Sequence, residues 1–289
     1  MNFYTLENER LTVRICDAGA EVHSVTANGC EYIWQPESGH WQRHAPWLFP
    51  ICGGLCEGRY TYRGRSFSMP KHGFVRDLTF ATLEKSESAI LLSISDSAET
   101  RAIYPFAFSL SVRFSLSGDR LLSEIRLSNP GGEDLYAGFG AHPGFRVPLD
   151  GKGSFDDWYL SFDGSPAPDE MVLADDLLWS GERRPFPLDG GKIKLSRAFF
   201  ARDAKFLSGA GNCVTLKSDK SPRAVTVRYE GFPYVGIWSE AVDVGFVCIE
   251  PWHGLPSVSG KVDDVETKHG LFKIAPGGEE RLRVEMQFL

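Results

Sequence analysis

The chain of 289 residues lacks the features that would attach it to a membrane, a nucleic acid or a nucleotide. No apolar run approaches the roughly 20 residues that a membrane-spanning helix needs, and the opening "MNFYTLENERLTVRI" has neither the basic nor the apolar part of a secretory signal. The formal net charge is −7 without a basic stripe, which argues against nucleic-acid binding. The glycine-rich loops that cradle phosphates are also missing. We therefore expect no nucleic-acid or membrane partner.

Cysteine is sparse and follows no metal-binding pattern. The six cysteines are scattered and lie mostly in apolar surroundings. Cys52 and Cys56 are four residues apart, but no second pair completes a zinc-binding pattern. We predict reduced thiols at small core positions, no metal or other cofactor, and a cytoplasmic location.

The main structural signal is an alternation of apolar and polar residues at every second position, which is typical of β-strands. The alternation runs through 106–129, where Ser117-Gly118-Asp119 indicates a hairpin turn. It also runs through 22–34, where Asn28-Gly29 favours a type I′ turn. Four further strands are predicted at 89–95, 224–230, 245–250 and 281–289.

No stretch shows the pattern of a long amphipathic helix, which argues against alternating strands and helices around a parallel sheet. We predict an all-β protein with many antiparallel strands in stacked sheets. Because nothing resembles a linker, residues 1–289 are expected to form one domain. The polar stretch 150–176 is predicted to be a long loop, either at the mouth of a site or simply solvated.

Three short stretches depart from the pattern of a plain β-sandwich. They are "KHGFVRD" (71–77), "GFGAHPGF" (138–145) and "FVCIEPWHG" (246–254). In each, an ionisable residue (His72, His142 or Glu250) closes or follows an apolar run beside glycine, proline or an aromatic residue. Such a setting aims a polar side chain into a cleft from a rigid scaffold. We expect the strand at 245–250 to end at Glu250, and a structural role for this residue would require a fixed partner, because a buried carboxylate without one is costly.

Four motifs occur in one order along the chain: "RHAPWLFPICGGL" (43–55), "HGFVRD" (72–77), "GAHPGF" (140–145) and "GIWSE…FVCIEPW" (236–252). Together they resemble the aldose 1-epimerase (galactose mutarotase) family, and within it the LacX-like bacterial branch. The resemblance extends from about residue 3 to the C-terminus. It implies a large antiparallel β-supersandwich, in agreement with the alternation pattern.

The resemblance also implies a reaction, the interconversion of the α and β anomers of a sugar by opening and closing its hemiacetal ring. Glu250 matches the family's general base, which takes the proton of the C1 hydroxyl. His142 matches the general acid at the ring oxygen. His72 matches a second histidine that holds the ring oxygen or a neighbouring hydroxyl. No metal, nucleotide or covalent intermediate is required.

Four further residues match positions that contact the sugar in this family. Arg76 and Arg43 match arginines that face the sugar, and their planar groups suit paired hydroxyls and also a phosphate. Asp203 resembles a carboxylate that binds sugar hydroxyls. Trp252 would either stack on the sugar ring or fill the core. The expected substrate is thus a hexose or a hexose phosphate, and the oligomeric state is not indicated.

Three other functions are compatible with the same residues. The first is a non-catalytic sugar-binding or sensing protein on the same fold. The second is a metal site built from His72, His142 and Glu250, although the closely spaced histidines of many β-barrel metal sites are missing. The third is glycoside hydrolysis, which normally needs two carboxylates, whereas Glu250 alone stands out.

Overall fold

A computed structural model describes residues 1–164 and 166–289, and β-strands make up most of its regular structure. The strands are β1 (Phe3–Glu7), β2 (Leu11–Cys16), β3 (Glu21–Ala27), β4 (Cys30–Glu31), β5 (Trp47–Leu48), β6 (Arg59–Tyr62), β7 (Arg65–Ser68), β8 (Ala81–Lys85), β9 (Ala89–Ser95), β10 (Ser109–Ser117), β11 (Arg120–Ser128), β12 (Leu135–Ala137), β13 (Phe139–Ala141), β14 (Gly144–Arg146), β15 (Trp158–Phe162), β16 (Asp169–Leu173), β17 (Trp179–Pro185), β18 (Lys192–Lys194), β19 (Lys205–Ser208), β20 (Cys213–Ser218), β21 (Ala224–Glu230), β22 (Tyr234–Trp238), β23 (Phe246–His253), β24 (Phe272–Ile274) and β25 (Glu279–Phe288). The helical segments are α1 (Ala98–Ile103) and four 3₁₀ turns, Cys56–Gly58, Val75–Asp77, Phe155–Asp157 and Arg197–Phe200.

Two large sheets hold most of these strands. A nine-stranded sheet has the order β18-β15-β20-β21-β25-β11-β10-β9-β8. An eight-stranded sheet has the order β17-β16-β19-β22-β23-β13-β5, with β14 also paired to β23. Smaller sheets are formed by β1–β4, by β12 with β24, and by β6 with β7. The prediction of an all-β protein with antiparallel sheets is confirmed. None of the helices in the described ranges is long and apolar enough to cross a membrane.

The alternation along β23 separates the core from the opposite face of the eight-stranded sheet. Val247 and Ile249 are fully buried in the main hydrophobic core, together with side chains of β20, β21 and β25. Because successive side chains of a strand point to opposite faces, Cys248, Glu250 and Trp252 lie on the other face. One face of this sheet therefore packs on the main core, and the side chains of the other face are available to form a site.

Several predicted elements are confirmed. Strands β9 and β21 coincide with the predicted 89–95 and 224–230. Gly118 lies in the turn between β10 and β11. Asn28 and Gly29 connect β3 to β4 with φ angles of 50° and 72°, the positive values that a type I′ turn requires. All six cysteines are free thiols, as expected.

Two structural predictions are wrong. The stretch 150–176 is not a long loop, because it contains β15 and β16. Within β15, buried Trp158, Leu160 and Phe162 alternate with less buried residues. This strand pairs with both β18 and β20. Glu250 also does not end its strand, since β23 continues to His253 and stays paired with β22 through Trp252.

Candidate active site

A cavity of about 280 Å³ opens on the outer face of the eight-stranded sheet. Its walls come from β19, β22, β23 and the loops beside them. The lining residues are Trp41, Pro46, Gly53, Lys71, His72, Arg76, His142, Leu173, Leu177, Asp203, Ala204, Phe206, Trp238, Glu250, Trp252 and Pro256. Six of the seven residues predicted from the sequence are in this group. They are His72, Arg76, His142, Asp203, Glu250 and Trp252.

The strand register places His142 opposite Glu250. Strand β23 pairs with β13 at Gly140–Trp252 and with β14 at Gly144–Cys248. His142 lies midway between the two glycines, and Glu250 lies midway between their two partners. The two side chains therefore face each other where the ladder is interrupted. His142 Nε2 lies 3.2 Å from Glu250 Oε2.

Two glycines on the neighbouring strands lie opposite the residues of β23 that face the cavity, and they leave room for the large side chains there. Gly236 pairs with Glu250, and a Cβ atom there would lie 2.9 Å from Phe206 Cε1 and 3.3 Å from Glu250 Cβ. A Cβ atom on Gly140 would lie 2.8 Å from Trp252 Cδ1. The sheet can bring the indole and the carboxylate to the cavity only because these positions have no side chain.

Burial controls the electrostatics of the facing pair. Glu250 is 1% exposed and His142 is 8% exposed. Burial raises the pKa of Glu250 well above its ordinary range, while the Lys71 cation lowers that pKa and Asp203 raises it. Burial also lowers the pKa of His142 to about 3. This dry site thus favours the uncharged arrangement of the pair, with a carboxylic acid beside a neutral imidazole.

His72 is fixed as a hydrogen-bond donor to the cavity. Its ring Nδ1 accepts a hydrogen bond from the backbone N–H of Gly53 at 3.1 Å, and the backbone N–H of His72 donates to the Gly53 carbonyl at 2.8 Å. Burial lowers the pKa of His72 well below its ordinary value, so the ring is neutral at pH 7. Because Nδ1 is the acceptor, the proton of the neutral ring is on Nε2. The backbone of His72 has a φ of 67°, a conformation that is rare for residues other than glycine.

Buried polar atoms without partners are concentrated at this cavity. Among the described residues, eight buried side-chain nitrogen or oxygen atoms have no hydrogen-bond partner. Four of the eight belong to residues that line the cavity: Arg76 Nε, His142 Nδ1, Glu250 Oε1 and Trp252 Nε1. Buried polar groups are normally paired, so this concentration is typical of a surface that binds a polar ligand.

The structure adds cavity residues to which the sequence analysis gave no role. The Trp41 ring lies 4.9 Å from the His142 ring with a tilt of 33°, and the Trp238 ring meets His142 edge-on at 5.6 Å. Lys71 also lines the cavity. Lys71 lies in the motif 71–77 and Trp238 in the motif 236–252, but no local pattern distinguishes them from residues with a structural role. Trp41 arrives on a connection between β4 and β5, which the sequence pattern does not place.

The structure does not bring Arg43 into the cavity. Its guanidinium group donates hydrogen bonds to the Asp77 carboxylate at 2.5 Å and to the Arg76 carbonyl at 3.1 Å. Arg43 thus supports the segment that carries Arg76. Trp252 is 2% exposed and packs on Phe206 with ring centroids 4.4 Å apart, yet it also lines the cavity. Its indole is both a core residue and part of the cavity wall.

Two groups of side chains in the described ranges could hold a metal ion. They are His142 with Cys248 and Glu250, and Glu21 with His23 and His44. Within each group the potential ligand atoms lie within 4.8 Å of one another. His72 belongs to neither group, so the predicted alternative of a metal held by two histidines and Glu250 is not the arrangement found. Only the first group adjoins the cavity.

Comparisons with known proteins agree with this architecture. A profile of the family described as aldose 1-epimerase matches residues 2–270. The chromosomal protein LacX of Lactococcus lactis subsp. lactis is 32% identical over 281 residues, which are 94% of each chain. A galactose mutarotase related enzyme from Lactobacillus acidophilus is 34% identical with a TM-score of 0.95, covering 100% of this chain and 97% of that one. A galactose mutarotase-like protein from Lactobacillus casei ATCC 334 is 29% identical with a TM-score of 0.94, covering 100% of both chains. The resemblance seen in the sequence is confirmed, and the chain belongs to the aldose 1-epimerase family.

Proposed function

We propose that this protein is an aldose 1-epimerase that interconverts the α and β anomers of a hexose. The observation that carries the proposal is the pair formed by His142 and Glu250, buried in the cavity 3.2 Å apart. In a cyclic sugar the C1 hydroxyl and the ring oxygen are bonded to the same carbon. An acid and a base that act on these two oxygens must therefore be neighbours, as these two side chains are.

In the proposed reaction, the pair carries one proton that changes position. Glu250 takes the proton of the C1 hydroxyl while His142 Nε2 gives one to the ring oxygen, and the bond from C1 to that oxygen breaks. The pair changes from carboxylate and imidazolium to carboxylic acid and imidazole. Rotation about the C1–C2 bond and the reverse proton transfers give the other anomer. Because burial favours the uncharged pair, the protein stabilises the state that accompanies the open-chain aldehyde.

The remaining cavity residues supply positioning for the sugar. His72 Nε2–H is a fixed donor for the ring oxygen or a neighbouring hydroxyl. Asp203 and Arg76 offer an acceptor and donors for further hydroxyls. The indole rings of Trp41 and Trp238 offer apolar surface for the C–H faces of the ring. This division between polar groups and aromatic walls supports a sugar ligand.

A hexose phosphate is the second candidate substrate. Lys71 and Arg76 both line the cavity, and together they give it two cationic groups. Such groups favour a phosphate substituent over a neutral hydroxyl. If a phosphate binds there, Arg76→Ala will weaken turnover of phosphorylated sugars more than of neutral ones. Equal losses for both kinds of sugar would reject this candidate.

The proposal is tested by NMR exchange or polarimetry with α-glucose, α-galactose, glucose 6-phosphate and galactose 6-phosphate. The wild type should accelerate anomer exchange for at least one of them. Glu250→Gln and His142→Asn should each lower the rate by about 10²–10⁴-fold. Glu170→Gln is a matched control, because Glu170 is a buried glutamate of the same sheet that pairs with Arg184 outside the cavity. It should keep the wild-type rate.

Each result points to a different conclusion. Near-wild-type rates in both site variants would reject the roles assigned to Glu250 and His142. A wild type that binds one of these sugars without accelerating exchange would support the sensing protein instead. Loss of sugar binding in Glu250→Gln, together with loss of rate, would also favour a binding role for that residue.

A further inference from the structure

We propose that His142, Cys248 and Glu250 form a binding site for a thiophilic divalent cation such as Zn²⁺, and that the cation inhibits the protein by occupying the acid–base pair. The inhibition depends on the proposed function. The metal site itself does not depend on it, because it is argued from ligand geometry alone.

The strand geometry supplies three ligands at one place. Cys248 and Glu250 are two residues apart and share one face of β23, while His142 lies opposite Glu250. Ligand atoms of one tetrahedral zinc, with bonds of about 2.0–2.3 Å, lie roughly 3.3–3.6 Å apart. The separation of 3.2 Å between His142 Nε2 and Glu250 Oε2 is close to this value. The Cys248 thiol lies within 4.8 Å of one ligand atom of each of these two residues, so the three groups complete the set by moving closer around the ion.

The charges and the surroundings also suit a zinc ion. A thiolate, a carboxylate and a neutral imidazole together neutralise a divalent cation, so the buried site carries no net charge when the metal is bound. Burial raises the pKa of the Cys248 thiol and that of the Glu250 carboxyl well above their ordinary values, so binding must displace one proton from each group to solvent. His142 and Glu250 line the cavity, which gives the ion a path and leaves a fourth coordination position open.

The second group of potential ligands is less suited to a cation. The rings of His23 and His44 already contact each other, with centroids 4.0 Å apart and a tilt of 30°. Glu21 Oε1 already accepts hydrogen bonds from the backbone N–H groups of His44 and Ala45. The Arg43 guanidinium lies 4.0 Å from the other oxygen of Glu21 and repels a cation. A divalent metal should therefore select the group that contains Cys248.

The test uses Co²⁺ as a spectroscopic probe and Zn²⁺ as the ligand. Titration of the wild type with Co²⁺ should produce the near-ultraviolet charge-transfer absorption of a thiolate bound to cobalt. Cys248→Ala should lose this absorption and weaken Zn²⁺ binding, measured by calorimetry, by about 100-fold or more. Cys52→Ala is the matched control, because Cys52 is equally buried beside the cavity but belongs to neither group. It should behave like the wild type.

The outcomes separate this inference from the proposed function. An absorption that is absent from the wild type, or that survives in Cys248→Ala, overturns the metal site. Binding that gives no thiolate absorption and is lost in His44→Ala places the ion in the second group and also overturns it. In the exchange assay, Zn²⁺ should inhibit the wild type competitively with the sugar, EDTA should reverse this, and Cys248→Ala should resist it. If the wild type shows no exchange at all, the proposed function fails while the cobalt spectrum still decides the metal site.

Discussion

His142 and Glu250 face each other because β13 and β14 pair with the two ends of one edge of β23, and the ladder along that edge is interrupted between them. The pairing at Gly140 and at Gly144 fixes the position of the imidazole, and the His142 N–H also donates to the Pro46 carbonyl at 3.0 Å. The contact between the two side chains thus follows from backbone register. An acid and a base held in this way need no rearrangement to reach each other.

The alkaline limb of the pH–rate profile should move in opposite directions in two charge variants. The pair works with one proton, so the rate falls as the pH rises past the apparent pKa at which that proton leaves, which is set by Glu250. The Lys71 cation lowers the pKa of Glu250 and the Asp203 anion raises it. Lys71→Met should therefore move the limb to higher pH and Asp203→Asn to lower pH, each by less than about one unit. The measurement is kcat against pH at saturating sugar. Shifts of the same sign would contradict the assignment of this limb to Glu250.

Gly236→Ala should disable the site while changing little else. The added methyl group would lie 2.9 Å from Phe206 Cε1 and 3.3 Å from Glu250 Cβ, so one of these side chains must move. A displacement of the base by about 1 Å can lower the rate by about 10²-fold. The matched control is Gly132→Ala, where the new methyl group meets nothing within 4 Å. Exchange rates and thermal unfolding of both variants provide the measurement. Equal rates in the two variants would show that the close packing beside Glu250 is not needed.

Glu240 should position Trp41 over His142. Glu240 Oε1 accepts a hydrogen bond from the backbone N–H of Trp41 at 2.7 Å, and Oε2 lies 2.7 Å from His40 Nδ1. Glu240→Ala removes both interactions and should lower kcat/KM by about 10–100-fold. Glu240→Gln should largely restore it, because the amide can accept from Trp41 and donate to His40. When Trp41 is released from its position, the His142 ring becomes more exposed, so the pKa of His142 measured by NMR should rise in Glu240→Ala.

Asp243→Ala is the control for this comparison, because Asp243 is an exposed carboxylate of the same loop that contacts Arg197 at 3.3 Å. It should behave like the wild type. Identical kinetics in the alanine and glutamine variants of Glu240 would argue against the two hydrogen bonds as the cause.

Stability should fall in mild acid, partly because of His253. Burial lowers the pKa of His253 to about 4, whereas an unfolded histidine has a pKa of about 6.5. Between these values the unfolded chain binds a proton that the folded chain does not, so stability is present above the unfolded pKa and is lost as the pH falls. One such group accounts for about 1.4 kcal/mol between pH 7.5 and 5.5.

His253→Asn should remove this share of the pH dependence. Urea unfolding at the two pH values gives the free energy of unfolding for the wild type and the variant. The variant is expected to be less stable at both, because it loses the stacking of His253 on Phe272. Its difference between the two pH values should nevertheless be smaller. An unchanged difference would mean that His253 does not bind the proton.

Local sequence pattern was sufficient for strands whose two faces differ clearly. Strands β9 and β21 alternate so regularly that their predicted limits match the structure. In 150–176 the same alternation of Trp158, Leu160 and Phe162 was present, but neighbouring aspartates and glycines dominated the interpretation. The alternation of a strand is harder to recognise when polar residues occupy both its exposed positions and the turns on either side of it.

The end of β23 could not be read from its own residues. A carboxylate followed by proline indicates the end of a strand, since proline lacks a donor for the ladder. Here the strand continues because β22 pairs with it through Pro251 and Trp252, while the partner on the other side is interrupted at that point. This arrangement depends on residues far away in the chain, which no local window contains.

Six residues that line the cavity were predicted because they lie in short motifs, whereas the position of Trp41 depends on tertiary structure. His72, His142 and Glu250 stood out by their glycine, proline and aromatic neighbours. Trp41 is held beside His142 by a hydrogen bond to Glu240, a residue about 200 positions further along the chain. The pattern also could not show that Arg43 binds Asp77 and does not line the cavity.

Because Glu250 lies in the middle of β23, the stability of the site depends on the stability of the whole fold. Val247 and Ile249 belong to the main core, and Glu250 follows them in the same strand. The backbone that carries the carboxylate therefore stays in place until the centre of the sheet separates. On heating, activity and structure should disappear in one transition, and the amide protons beside Glu250 should exchange with solvent only through global unfolding.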